Sequence, residues 1–119
     1  MAEPDDDRET VTITLPTTPP VTLKLDAPAL EALLGKLAEF RAHMLPEVPR
    51  TFPEGQSFLS VGDPAWKTDP NFLHGFVFLH MRDPRFGWLR NILSRDDASR
   101  LASSLQKDMK ITPLVPGVE

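Results

Sequence analysis

The sequence predicts an α+β fold: a two-layer sandwich in which an antiparallel sheet of about five strands carries two helices, in the order β-β-α-β-β-β-α. Three observations lead there. Two short segments alternate apolar and polar residues, at 11–15 (VTITL) and 21–25 (VTLKL), the period of a half-buried strand. Two longer segments, after Asp26 and after Ser94, repeat apolar residues at three- and four-residue spacings, the stripe of an amphipathic helix. Between them, residues 75–81 (GFVFLHM) are apolar on both parities, which marks a central strand covered on both faces.

The first ten residues hold Glu3, Asp5, Asp6, Asp7 and Glu9 against Arg8. This tail accounts for the whole net charge of −4. With almost no apolar surface to offset the entropy of ordering, residues 1–10 are expected to be a disordered acidic tail. Residues 11–110 should then form a single domain, since a chain of 119 residues needs only one core. The strands at 11–15 and 21–25 flank Pro16-Thr17-Thr18-Pro19-Pro20, a connection whose prolines donate no ladder bonds, so a hairpin is expected.

Asp26 is placed to accept a hydrogen bond at a helix N-terminus, with Pro28 in the first turn, where its missing N–H costs nothing. Leu30, Leu33, Leu34, Leu37 and Met44 continue the stripe to about residue 45, and Pro46 ends it. From 46 to 72 five prolines and two glycines exclude long regular structure, and only 57–61 (SFLSV) reads as a strand. Asp83-Pro84-Arg85 is turn chemistry joining the central strand to 86–93 (FGWLRNIL), read as its hairpin partner, although a short helix fits that segment too. Ser94-Arg95-Asp96-Asp97 resembles a capping box. Ala98, Leu101, Ala102, Leu105 and Met109 then define the second helix. Residues 111–119 (ITPLVPGVE), interrupted by Pro113 and Pro116, are expected as an extended C-terminal tail.

Composition excludes several kinds of chemistry. The chain has no cysteine, hence no disulfide framework, thiolate cluster or cysteine nucleophile. No apolar run approaches the ~20 residues of a membrane helix, and the acidic N-terminus does not read as a secretory signal, so a cytoplasmic location is expected. His74 and His80 are six residues apart on or beside one strand, roughly 20 Å at ~3.3 Å per residue, too far to share a metal ion. No serine lies in GxSxG or SxxK, and phosphate-cradling glycine loops are absent. Neither catalytic residues nor a metal or cofactor is read from the sequence.

Binding features are stronger. Trp66 lies in the aperiodic loop Gly62-Asp63-Pro64-Ala65-Trp66-Lys67, and Trp88 alternates with Phe86. Tryptophan and arginine dominate binding hot spots, so Trp66, Arg82, Arg85 and Trp88 are the candidate partner contacts. Arg82, Arg85, Arg90, Arg95 and Arg100 lie near Phe86 and Trp88, a mixture that can hold single-stranded nucleic acid. Asp83, Asp96 and Asp97 offset much of that charge, which weighs against nucleic acid.

The leading functional reading is therefore a non-catalytic protein-interaction module that self-associates, as a homodimer or with another protein partner, through a sheet face that two helices leave uncovered. The alternative is a small enzyme or ligand-binding protein with a pocket under residues 46–72, where Asp63 and His80 would supply polar groups. Weak single-strand binding is a third reading.

Overall fold

A computed structural model describes residues 2–112. Residues 113–119, most of the expected C-terminal tail, lie outside the described residues. The chain divides into two compact units, the first ending at Leu59 and the second starting at Ser60.

The α+β class holds, with two helices, but the strands form two three-stranded antiparallel sheets rather than one sheet of about five. In the first unit, β1 (Ala2–Pro4), β2 (Thr10–Leu15) and β3 (Val21–Asp26) pair in the order β1-β2-β3 and are followed by α1 (Ala27–His43). In the second, β4 (Trp66–Asn71), β5 (Phe76–Asp83) and β6 (Gly87–Ser94) pair in the order β4-β5-β6 and are followed by α2 (Arg95–Ile111). Each unit thus runs three strands and then a helix. A strand's periodicity reports which side it buries and not which partner it takes, so the division into two sheets is invisible in the pattern.

The β2–β3 hairpin sets Val11 opposite Leu25, Ile13 opposite Leu23 and Leu15 opposite Val21, which gathers the aliphatic side chains on one face. Within the acidic N-terminal segment, Asp5 accepts hydrogen bonds from the hydroxyls of Thr10 and Thr12 and lies 3.8 Å from the Lys24 ammonium. Those contacts accompany the pairing of Ala2, Glu3 and Pro4 with Ile13, Thr12 and Val11. The Thr10 hydroxyl is the main cause that holds the Asp5 carboxyl below its ordinary value. Asp26 caps α1 as expected, its Oδ1 accepting from the Ala29 N–H at 3.0 Å.

The expected strand at 57–61, across the boundary between the units, does not form, and in the second unit 66–71 (WKTDPN) pairs with β5 instead. A proline and two charges hide this strand from a periodicity search. It is tolerated because β4 lies at the sheet edge, where Pro70 removes no bond from a central ladder. The central position of β5 and the strand nature of 87–94 agree with expectation. Ser94 caps α2 by accepting from the Asp97 N–H at 3.1 Å, with Asp96 and Asp97 in the first turn and Lys110 in the last.

No described residue is fully buried. Apolar side chains on both sheets and both helices remain open: Leu15, Val21, Leu37 and Phe40 in the first unit, Leu89, Leu101 and Leu105 in the second.

Candidate interaction surfaces of the second unit

The registers sort the second sheet into two faces. Trp66 pairs with Met81 and Thr68 with Leu79; Leu93 pairs with Val77. Alternation along each strand puts all six on one side. The α2 stripe of Ala98, Leu101, Ala102 and Leu105 packs toward this side without sealing it. What remains is an open apolar groove of about 440 Å³ lined by these ten residues. Two alanines on the sheet-facing side of α2 are too small to fill the space, which is why the groove exists. The Thr68 hydroxyl and the Trp66 indole N–H are the only polar side-chain groups among its lining residues.

The opposite face carries Phe76, Phe78, His80 and Arg82 from β5, with Lys67 and Asp69 from β4 and Trp88, Arg90 and Ile92 from β6. His80 sits at its centre. Its Nδ1 lies 3.2 Å from the Lys67 carbonyl oxygen and its Nε2 accepts from the Arg90 Nε at 3.0 Å. With Arg90 donating to Nε2, Nδ1 is the ring nitrogen left to donate to the Lys67 carbonyl. Arg90 also lies over the Phe78 ring, 4.8 Å from its centroid, so a guanidinium occupies the ring face on which a base would stack. Asp69 completes a surface chain, 3.6 Å from His80 Nδ1 and 3.5 Å from Lys67 Nζ.

The candidate contacts read from the sequence therefore do not converge. Trp66 lines the groove and is 67% exposed. Trp88 and Arg82 are cross-strand partners on the other face. Arg85 lies in the β5–β6 turn, bound to Asp83 through Nε at 3.0 Å, Nη2 at 2.7 Å and its backbone N–H at 2.7 Å. The Arg85 side chain, foremost among the causes, holds the Asp83 carboxyl far below its ordinary value, and Asp83 in turn raises the Arg85 guanidinium. Asp63 stands in the loop before β4 with φ of 41°. Neither Asp63 nor His80 lines the groove. Among the described residues, no three His, Asp or Glu side chains are placed to hold a metal ion, and no helix is long and apolar enough to cross a membrane.

The sequence reading missed one feature. In the β4–β5 turn, Phe72 and Leu73 are 92% and 89% exposed. The turn is nevertheless well made. The Asn71 Oδ1 accepts from the N–H of Leu73 at 3.1 Å and of His74 at 3.3 Å. The Gly75 N–H donates to the Asn71 carbonyl at 3.0 Å with Gly75 at φ of 69°, a backbone conformation that glycine adopts freely. Asn71 followed four residues later by Gly75 was the available signal for this turn.

Comparisons with protein families, with curated proteins and with solved structures return no match.

Proposed function

We propose that this chain is a non-catalytic protein-interaction module whose immediate partner is a second copy of itself. The observation that carries the reading is the absence of any fully buried residue among those described, in a chain that is 40% hydrophobic. Apolar faces of this extent on an isolated molecule mark association sites.

The groove supports the same reading. A small-molecule site needs several polar groups to fix orientation, and here the lining side chains offer only the Thr68 hydroxyl and the Trp66 indole N–H. An apolar protein surface needs no such anchor. Sedimentation equilibrium at micromolar concentration tests the proposal. The expected result is a mass twice the 13.3 kDa of the chain. A monomer throughout the concentration range refutes it.

A further inference from the structure

We infer that the β4–β5 turn is the anchor of this self-association: Phe72 and Leu73 of one copy insert into the apolar groove between the sheet and α2 of a second copy, which makes the same exchange in return. The inference rests on the self-association proposed above and names the surfaces that carry it.

Features of the second unit point to this pairing. Phe72 and Leu73 are more exposed than any other large apolar side chain described, at 92% and 89%. Asn71 and Gly75 hold them on a turn fixed by three backbone-directed bonds. An anchor already ordered before binding loses little entropy when it docks.

The groove matches the anchor in chemistry and in size. A closed cavity of about 150 Å³ accepts a benzene ring, so the groove's 440 Å³ has room for a phenyl ring and a leucyl side chain together. Its walls are Val77, Leu79, Met81 and Leu93 from the sheet and Leu101 and Leu105 from α2.

The turn cannot reach the groove of its own chain. β4 and β5 stay paired up to Asn71 opposite Phe76, so the turn extends outward from the end of the sheet whose flat face forms the groove floor. A second copy carries both the complementary groove and a second turn. Reciprocal insertion around a two-fold axis closes the assembly at two chains and uses the same patch on both.

Charge does not oppose the contact, because no lining residue of the groove is ionisable.

The test uses the full chain in two arms. In the first, wild type and the Phe72→Ser, Leu73→Ser double variant are compared by sedimentation equilibrium, with circular dichroism confirming equal secondary structure. Both side chains are solvent-exposed, so the substitutions leave the monomer fold intact. The expected result is a wild-type dimer whose dissociation constant rises more than about 100-fold in the variant, as for the loss of two hot-spot residues. A variant that dimerises like wild type overturns this inference and leaves self-association standing. A wild-type chain that is monomeric overturns both. Mass growing beyond two chains overturns the reciprocal geometry.

In the second arm, the lack of native cysteine allows site-specific crosslinking. Leu73→Cys and Thr68→Cys chains of different tagged length are mixed and oxidised. A disulfide-linked species containing both chains, absent from either variant alone, supports insertion of the turn beside Thr68. Failure to form it, with dimerisation intact, overturns the placement.

Discussion

Filling the groove from within should stabilise the isolated chain while disabling its association. Ala102 lies on the sheet-facing stripe of α2 between Ala98 and Leu105 and lines the groove. Ala102→Leu adds three carbons, about 2.4 kcal/mol at the usual value per buried CH₂. Because the groove is open on one side, about half of that is realised. The small loss of helix propensity takes about 0.2 kcal/mol, leaving a net gain of about 1 kcal/mol. In urea this raises the unfolding midpoint by about 0.5 M for a small protein. The measurement is made at nanomolar concentration, where chains are separate, by the fluorescence of Trp66 and Trp88. The same variant at micromolar concentration should dimerise at least tenfold more weakly, because the new side chain occupies the space that the partner fills. Unchanged dimerisation, or a destabilised chain at low concentration, would refute the account of the groove as unfilled space awaiting a partner.

Three other outcomes follow from particular side chains. Ser94→Ala removes the hydroxyl that accepts from the Asp97 N–H, and should cost about 1 kcal/mol as lost N-caps do, read as a lowered thermal midpoint. Asp83 has a lower pKa in the folded than in the unfolded chain because of Arg85. The stability it contributes is therefore present above the unfolded value near 3.8 and fades as the pH falls below it. Urea denaturation from pH 7 to pH 3 should show a shallower acid decline in Asp83→Asn than in wild type. Finally, nitrogen-15 NMR of neutral His80 should show the Nδ1–H tautomer, since its Nε2 accepts from Arg90, and Arg90→Ala should shift the ring toward the Nε2–H form.

Local chemistry made much of the fold legible. Asp26 and Ser94 announce helix starts by side-chain geometry that needs no distant partner, and the two-sided apolar pattern of 76–81 marks β5 as central. Non-local pairing did not show. The segment 57–61 alternates like a strand yet forms none, while 66–71 carries Lys67, Asp69 and Pro70 and pairs all the same, because β5 offers it an open edge. β1 depends on Asp5 reaching Thr10 and Thr12, which acidic composition alone conceals. Trp66 reads as a loop residue in the sequence, yet it opens β4 and lines the groove. Phe72 and Leu73 were missed because two apolar residues in a turn read as ordinary hydrophobic chain until Asn71 and Gly75 are seen to fix them outward. Val77, Leu79 and Met81 share one parity of the 75–81 pattern, but the space left above them depends on Ala98 and Ala102 facing that sheet.

The dependence of unfolding on protein concentration tests most directly whether a second copy completes these cores. For a chain whose folded state is a dimer, raising the concentration a hundredfold adds about 2.7 kcal/mol to the apparent stability, which should move the urea midpoint upward by about 1 M. A midpoint that stays fixed across that range would mean that the single chain already holds all the structure it needs.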